Sequence, residues 1–283
     1  MKELCILIVN YKSTNYSIEL IKNLKKSSFK DFDILVFDNN SNEDLSKLEK
    51  LKIKLIKNEK NVGLTGGVNK ALNLIKNKYV LLLNPDIEIE KNTIKELLDL
   101  IKKDEKIAFV GGAIYNFKNK EKVDAFGGKL NFFTGIAKPL KNEYNIRELK
   151  YREYSDACVL IFNKKIFQEL NGYDEKYFMY VETEDIQFRA MKKGYNVFIN
   201  PKAKVWHRVY GSTGGKKSSF SIYYLTRNRF LFMNKHLNFF RYYIFLIINI
   251  FFILPMQFLL FLFRRQFYLI PSFLKGAWDG ILK

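Results

Sequence analysis

The 283-residue sequence contains few of the residues that form disulfides or metal sites. Its two cysteines, Cys5 and Cys158, each lie in an apolar run, and neither a Cys-x-x-Cys pair nor a Cys/His spacing typical of zinc is present. We therefore expect two buried thiols in a reducing compartment. The N-terminal apolar run has only strand length and no small-residue cleavage site follows it, which argues against a signal peptide.

Acidic residues are also scarce, since 29 Asp and Glu stand against 48 Lys and Arg, a formal net charge of +19. Such an excess favours an anionic partner, whether nucleic acid, acidic lipid headgroups or a phosphorylated substrate. The basic residues are mostly dispersed lysines and form no nucleic-acid recognition motif, so no nucleic-acid partner is expected. With 48% hydrophobic residues the chain can build a full core, which excludes a disordered protein.

Apolar runs of strand length alternate with segments of helical periodicity over the first 110 residues. This alternation indicates βαβ units, hence a mostly parallel sheet with helices on both faces. A Thr93-x-x-Glu96 capping box is expected to open one of the helices. Residues 112–153 are expected to be irregular. We expect strands at residues 4–9, 33–38, 53–56, 79–83, 107–110 and 158–162, and helices at 17–24, 68–75, 93–101 and 164–170.

Polar residues follow three of these strands, at the edge where parallel sheets bind ligands. Asp38 could accept a hydrogen bond from the imide N–H of uracil or thymine. Asp86 could bind a divalent cation on a diphosphate, and oxygen ligands suit Mg²⁺ or Mn²⁺. Either aspartate alone could equally cap the next helix. The three segments are Asn10-Tyr11-Lys12, Asp38-Asn39-Asn40 and Asn84-Pro85-Asp86.

A glycine- and asparagine-rich segment lies between the third strand and the next helix. Its glycines would let backbone approach a ligand closely, and the helix N-terminus favours an anion. The segment matches neither G-x-G-x-x-G nor a Walker A loop, and the alternative is a plain turn before a helix. Its candidate ligand residues are Asn61, Gly63, Gly66, Gly67 and Asn69.

Two further candidates lie in the second half of the chain. The acidic segment Glu182-Thr183-Glu184-Asp185 precedes a helix, where acids either favour the helix dipole or supply a general base. His207, one of two histidines, follows a strand-like segment and is a candidate metal ligand.

Residues 242–263 carry no charge and are about as long as a bilayer core is thick. Asn249, Pro255 and Gln257 interrupt the run. It could form a spanning helix, a kinked hairpin lying in the membrane plane, or a helix buried in a soluble core. We favour membrane association, and basic residues on both sides fit an in-plane segment better than a clean span. These flanking residues are Lys235, Arg241, Arg264, Arg265 and Lys275.

Taken in order, these segments resemble family 2 glycosyltransferases, in particular the rhamnosyltransferase-like branch. The resemblance covers residues 4 to about 230 and implies a GT-A fold. It predicts a catalytic domain at residues 1–235, with a nucleotide-sugar half (1–111) and an acceptor half (112–235), before an apolar membrane-associating tail (236–283). The matching stretches are Ile8-Val9-Asn10-Tyr11, Phe37-Asp38-Asn39-Asn40-Ser41, Asn61 through Asn69, Leu83-Asn84-Pro85-Asp86, Ser155-Asp156-Ala157-Cys158, Phe178-Met179-Tyr180-Val181-Glu182, and His207 with Gly211-Ser212-Thr213.

The resemblance also implies roles. The position of Asp38 binds the nucleotide base, and Asp86 with His207 holds the metal ion. Arg227-Asn228-Arg229 resembles a family segment near the diphosphate or the membrane. The implied nucleotide-sugar site comprises Asn10, Tyr11, Asp38, Asn40, Asn61, Gly63, Gly66, Gly67, Asn69, Asn84, Asp86 and Arg227.

One position departs from the family, which usually reads Glu-Asp-x-Asp where this chain reads Glu182-Thr183-Glu184-Asp185. A threonine hydroxyl is not basic at neutral pH, so another member of the segment must act as the base. Of the three candidates Glu182, Glu184 and Asp185, we expect Asp185 to do so.

The function implied is an inverting, Mg²⁺- or Mn²⁺-dependent glycosyltransferase at the cytoplasmic face of the cell membrane. It would move a sugar, rhamnose being one option, from a dTDP- or UDP-sugar to a hydroxyl of a lipid-linked glycan. The alternatives are a polyprenyl-phosphate sugar synthase and a non-catalytic protein that binds membranes or nucleic acid.

Overall fold

The computed structural model describes residues 2–140, 145–208 and 218–282. Its strands are β1 (Leu4–Asn10), β2 (Phe32–Asp38), β3 (Lys54–Lys57), β4 (Tyr79–Leu83), β5 (Ile87–Ile89), β6 (Ile107–Asn116), β7 (Val123–Ala125), β8 (Gly128–Leu130), β9 (Ala137–Pro139), β10 (Arg147–Glu148), β11 (Glu153–Tyr154), β12 (Val159–Asn163) and β13 (Asn196–His207). Its helices are α1 (Thr14–Leu24), α2 (Ser46–Glu49), α3 (Gly63–Leu72), α4 (Thr93–Ile101), α5 (Lys164–Glu169), α6 (Glu182–Lys192), α7 (Ser219–His236), α8 (Phe239–Ile248), α9 (Leu254–Phe263) and α10 (Ile270–Leu282).

The main sheet has the strand order β10-β13-β6-β12-β4-β1-β2-β3. β1 is parallel to β2 and β4, β2 is parallel to β3, and β6 is parallel to β13. β12 is antiparallel to both of its neighbours, β4 and β6. The carboxyl ends of β1, β2, β4 and β13 therefore lie at one edge of the sheet, together with the amino end of β12. The expected mixed α/β fold with a mostly parallel sheet is confirmed.

Both faces of the sheet are covered by helices, as the uninterrupted apolar strands predict. Alternate residues of β1 point to opposite faces. Leu4 and Ile6 pack with α1 and α4, whereas Cys5 and Leu7 pack with α3 and α5. Cys5 and Cys158 are buried free thiols, as expected.

Two local expectations are wrong. The Thr93 side chain caps no helix, because α4 begins at Thr93 itself and its hydroxyl donates to the Lys204 carbonyl over 2.7 Å. Residues 112–153 are not irregular throughout. β6 continues to Asn116, and β8, β9 and β11 form a second antiparallel sheet. These later strands have two or three residues each, too few to show an alternating pattern.

The apolar tail forms one continuous helix, Phe239–Phe263, with a π-helical turn at Asn249–Ile253 between α8 and α9. It is long and apolar enough to cross a membrane, and only 17% of its most apolar stretch is buried. Phe251 and Phe263 expose 68% and 88% of their surface. Most of the helix surface is therefore not covered by the described part of the chain.

This apolar helix contacts α7 near its start and α10 near its end. Near its start, Phe245 packs against Phe230 of α7 with ring centroids 5.4 Å apart. Near its end, Phe261 packs against Phe273 of α10, in a cluster that Ile222 of α7 also contacts. α10 packs along α7, so these contacts cross the domain boundary predicted at residue 235. That boundary stays a prediction.

Candidate active site

The carboxyl ends of β1 and β2 meet in a buried polar pair. Asn10 Nδ2 donates to Asp38 Oδ1 over 2.8 Å, and both side chains are buried. Ser17 Oγ donates to Asn10 Oδ1 over 2.8 Å, and the Ser41 N–H donates to Asp38 Oδ2 over 3.2 Å. The structure thus brings these two predicted ligands together and fixes their orientation.

The rim beside Asp38 is more accessible. Tyr11 and Asn40 are both partly exposed. The Lys12 ammonium lies 5.6 Å from the centre of the Tyr11 ring. Asn40 has a left-handed φ of 60°, which asparagine tolerates better than most residues. A phenol ring and a cation therefore follow Asn10 at the carboxyl end of β1.

Asn61 is held against the end of β2 by Asn39, a residue outside the predicted ligand set. Asn39 Nδ2 donates to both Asn61 Oδ1 and the Gly63 carbonyl over 2.9 Å. The Val62 N–H donates back to Asn39 Oδ1 over 3.1 Å. Asn39 therefore joins β2 to the start of α3.

The glycine-rich segment is not a loop, because Gly63, Gly66 and Gly67 lie inside α3. Protein atoms occupy the space beside each glycine. A Cβ at Gly63 would lie 2.2 Å from the Phe178 carbonyl oxygen, and one at Gly67 would lie 3.1 Å from Val9. The glycines thus allow α3 to approach its neighbours closely, and a ligand contact at these glycines stays a prediction.

Two other residues predicted to bind the nucleotide-sugar instead contact other parts of the protein. Asn69 donates to the Tyr173 carbonyl over 2.8 Å and accepts from the Tyr173 N–H over 3.0 Å. Arg227 donates to the carbonyls of Lys176 and Tyr177, and its guanidinium lies 5.1 Å from the Tyr224 ring centre. Both side chains hold the segment before α6 in place.

Asp86 and His207 come together because β5, which follows Asp86, pairs antiparallel with the end of β13 and places Ile87 opposite His207. His207 Nε2 lies 3.3 Å from Asp86 Oδ1. Asn84 precedes this pair and its N–H donates to the Cys158 carbonyl over 3.1 Å. The predicted metal ligands are therefore adjacent at the same sheet edge as Asp38.

The donor set fits a divalent cation. A carboxylate oxygen suits Mg²⁺ or Mn²⁺, and the imidazole nitrogen favours the transition metal. No cluster of three or more potential ligand side chains occurs in the described ranges, so phosphate oxygens and water would supply the other ligands. Burial lowers the pKa of His207, but Cys158 and Asp86 outweigh it and raise the pKa to about 11. A bound cation would displace this proton.

Glu182 and Glu184 begin α6 close to Asp156, which precedes β12. Burial raises the pKa of Glu182 to about 7, and burial together with Glu182 raises the pKa of Glu184 to about 8. Glu182 Oε2 is buried without a hydrogen-bond partner, whereas Glu184 is partly exposed. Each of these two carboxyls can therefore bind and release a proton near neutral pH.

Asp185 is fully buried among cationic and neutral donors. His236 Nε2 and Arg189 Nε each approach its oxygens to 2.8 Å, and Lys235 Nζ lies 3.0 Å away. Burial opposes its charge, yet His236, Arg189 and Lys235 hold its pKa at about 2. These contacts contradict the expectation that Asp185 is the base, because a buried acid this strong neither reaches an acceptor nor retains its proton.

A sequence model described as Glycosyl transferase family 2 matches residues 5–171, more than half of the 283 residues. The chain belongs to glycosyltransferase family 2. This glycosyltransferase is 29% identical over 243 residues to the low-salt glycan biosynthesis hexosyltransferase Agl10 of Haloferax volcanii, covering 83% of this chain and 76% of that protein. It is 26% identical over 156 residues to the N-acetylglucosaminyl-diphospho-decaprenol L-rhamnosyltransferase of Mycobacterium tuberculosis, half of each chain.

The fold of the glycosyltransferase is also similar to that of a solved enzyme. The mannosyltransferase PcManGT from Pyrobaculum calidifontis, in complex with GDP-Man and Mn²⁺, superimposes with a TM-score of 0.63 at 10% identity. The match covers 99% of this chain and 87% of that one. The GT-A fold and the family expected from the sequence are both confirmed.

Thr183, which stands where the resemblance led us to expect an acid, is buried in this glycosyltransferase. Its hydroxyl lies 3.3 Å from the Tyr173 hydroxyl and 3.5 Å from Glu182 Oε1. It therefore contributes a hydrogen bond to the acidic segment, not a base. The predicted segment Gly211-Ser212-Thr213 lies outside the described residues.

Proposed function

We propose that this glycosyltransferase moves a sugar, with inversion, from a nucleotide-diphosphate donor to a hydroxyl of a lipid-linked glycan. The adjacency of Asp86 and His207 at the Asp38 edge of the sheet carries this proposal. The amino end of β12, with Asp156 and Cys158, links that edge to the Glu182–Glu184 pair. One edge thus presents a base-binding carboxylate, a cation site and a proton acceptor.

The names of the relatives support a glycan product. One relative is a hexosyltransferase of glycan biosynthesis, and the other is a rhamnosyltransferase whose name includes a diphospho-decaprenol sugar. We infer an acceptor of the same chemical class, a sugar on a lipid diphosphate, and a hexose or rhamnose as the transferred group.

In the proposed mechanism, a cation held by Asp86 and His207 would neutralise charge on the leaving diphosphate. Asp38 orients the nucleotide base. Glu184, the more accessible of the two glutamates, takes the proton from the acceptor hydroxyl as that oxygen attacks the sugar carbon. The raised pKa of Glu184, about 8, makes it a stronger base than an ordinary carboxylate.

We also propose that the Phe239–Phe263 helix lies in the plane of a membrane, at its cytoplasmic face. The helix contacts α7 near its start and α10, which itself packs on α7, near its end, so it runs alongside the body instead of leaving it. Its exposed phenylalanines would enter the apolar layer, and Arg264 and Arg265 would contact anionic headgroups. Lys235, counted in the sequence as a flanking cation, instead binds Asp174 over 2.7 Å and Asp185 over 3.0 Å.

The direct test is calorimetric titration of the protein with UDP, dTDP and GDP, each with and without Mn²⁺. We expect Mn²⁺-dependent binding of at least one nucleotide, its loss in Asp86→Ala, and its retention in Asp99→Ala, an exposed aspartate on α4. If no nucleotide binds under any condition, the proposed donor site is wrong. Product analysis then separates a glycosidic bond to a sugar hydroxyl from one to a lipid phosphate, the product of a polyprenyl-phosphate sugar synthase.

A further inference from the structure

The turn that leads into α6 has an uncommon backbone. Phe178, Tyr180 and Val181 have φ values of 63°, 68° and 72°, and none of them is glycine. Each non-glycine residue in the left-handed region costs on the order of 1–2 kcal/mol, and a β-branched residue such as Val181 is a marked outlier. The turn ends directly at Glu182, so its shape sets the direction in which the acidic segment leaves it.

One side chain of α7, Asn228, contacts three carbonyls of this turn, and the neighbouring Arg227 also donates to the carbonyl of Tyr177. Asn228 is fully buried, and its Nδ2 lies 2.9 Å from the Tyr177 carbonyl oxygen, 2.8 Å from that of Met179 and 2.9 Å from that of Tyr180. An amide nitrogen carries two hydrogens, so three acceptors share two N–H groups. The amide thus provides the donors that the turn's carbonyls require, since a buried carbonyl without a donor costs free energy.

The opposite side of the turn is held by α3. The Thr65 N–H donates to the Phe178 carbonyl over 3.3 Å, and the space beside Gly63 is filled by Phe178. The turn is therefore fixed between α3, next to the Asp38 edge, and α7. Asp185 N–H donates to the Val181 carbonyl over 3.0 Å, which joins the end of the turn to the first turn of α6.

We propose that Asn228 is a positioning residue for the Glu182–Glu184 pair. It holds residues 177–181 in the conformation that directs these carboxyls toward Asp156 and the cation site. It touches neither the donor nor the acceptor. The role rests on the proposed transferase function, and it is distinct from the contact with a diphosphate or membrane that the sequence suggested for this segment.

The test compares Asn228→Asp with Tyr223→Phe. Aspartate keeps the shape of asparagine but aims oxygen lone pairs at the three carbonyls, so the turn must open. Tyr223→Phe removes another hydrogen bond of α7, the 2.6 Å bond to Asp279, and deletes no group that donates to the carbonyls of the turn. We expect Asn228→Asp to lower kcat about 100-fold with little change in the KM for the donor, because misplacing a reacting group by about 1 Å has this effect. We expect Tyr223→Phe to lower only the Tm.

Two further readouts separate positioning from general destabilisation. In Asn228→Asp the pH dependence of kcat should shift, since opening the turn changes the burial that sets the pKa of both glutamates. Amide hydrogen exchange at residues 178–181 should also accelerate in this variant and not in Tyr223→Phe. Unchanged kcat, or equal kcat losses in the two variants, would overturn the proposal. If the wild-type protein transfers no sugar, the proposed function fails, and hydrogen exchange alone decides whether Asn228 holds the turn.

Discussion

The Glu182–Glu184 pair sits where desolvation and mutual repulsion both disfavour charge. The two pKa values, about 7 and about 8, are far above the ordinary value of 4.5 for a glutamate. Because the second carboxyl ionises against the charge of the first, the pair titrates as a unit. In the proposed mechanism this pair supplies the basicity that Thr183 cannot.

The pH dependence of the rate follows from these values. A carboxyl acts as a base only when deprotonated, so kcat should rise with pH through about 8 and then level off. Glu184→Gln should lose about 100-fold or more in kcat and also lose this rise. Glu182→Gln should shift the rise to lower pH, because the neighbouring charge is gone. Steady-state kinetics between pH 5.5 and pH 9 are the measurement, and a pH-independent wild-type kcat would contradict the assignment.

The same pKa shifts predict that stability falls with rising pH, whereas kcat rises. The folded protein binds protons on both glutamates more tightly than the unfolded chain, whose glutamates titrate near 4.5. The free energy of unfolding should therefore fall as pH rises from about 4.5 to about 8. Urea unfolding at several pH values checks this, and the dependence should weaken in Glu184→Gln.

Which carboxylate acts as the base could not be read from the sequence. Glu182, Glu184 and Asp185 are neighbours in the chain, but Asp185 faces His236 and Lys235 of α7, some fifty residues away. Such a contact depends on how α6 and α7 pack, which a local pattern does not encode. Asp38 and Asp86 were easier to find, because polar residues that directly follow apolar strands lie at the sheet edge where such folds bind ligands.

At the scale of elements, α3 shows how packing overrides propensity. Three glycines within five residues predict a loop, since each glycine costs a helix interior about 1 kcal/mol relative to alanine. The helix forms nevertheless, because Gly67 lies against Val9 and Gly63 against Phe178. The pairing of β5 with β13 is equally non-local, and it is this pairing that brings His207 to Asp86.

Gly63→Ala tests the close contact of α3 with the turn before α6. Its φ is +73°, and the added Cβ would lie 2.2 Å from the Phe178 carbonyl oxygen. We expect a loss of about 3 kcal/mol in the free energy of unfolding, from backbone strain plus overpacking. Gly194→Ala is the matched control, because its φ is +83° but nothing lies within 4 Å of the added atom. It should lose only about 1 kcal/mol in urea unfolding. Equal losses would mean that the Phe178 contact contributes nothing.

At the scale of the molecule, the α/β half was predictable and the arrangement of the tail was not. Buried strands appear in the sequence as apolar runs, and the predicted bounds of β1, β2 and β4 agree with the structure to within one residue. The apolar run after residue 241 was equally visible. Its attachment to α7 and α10 depends on contacts such as Phe230 with Phe245 and Phe261 with Phe273, which no periodicity reveals.

Membrane binding in the plane makes a prediction about the outward face of the apolar helix. Phe251 and Phe252 are 68% and 66% exposed, and burying each in lipid should contribute about 2 kcal/mol. The double change of both to serine should weaken binding to anionic vesicles at least about 100-fold in flotation assays. Leu74→Ser, which removes an exposed apolar side chain beyond α3, should leave binding unchanged.

Thiol labelling can report how this helix is oriented in the membrane. Both native cysteines are buried, so single cysteines introduced at Arg241 and Arg265 can be labelled selectively. An in-plane helix leaves both positions open to a membrane-impermeant thiol reagent from the same side. Labelling of one position only from the opposite side of the vesicle would contradict this geometry and favour a spanning helix.

α7 contacts both the turn before α6 and the apolar helix. Asn228 contacts the turn before the glutamates, and Phe230, two residues later, packs against the apolar helix. Any shift of α7 caused by repacking Phe230 or Phe245 would also displace the Asn228 amide. Substitutions at that helix–helix interface are therefore pleiotropic: they alter lipid adsorption and turnover together, so a rate defect there is no measure of membrane dependence. Only substitutions on the outward face, such as those at Phe251 and Phe252, separate the two effects.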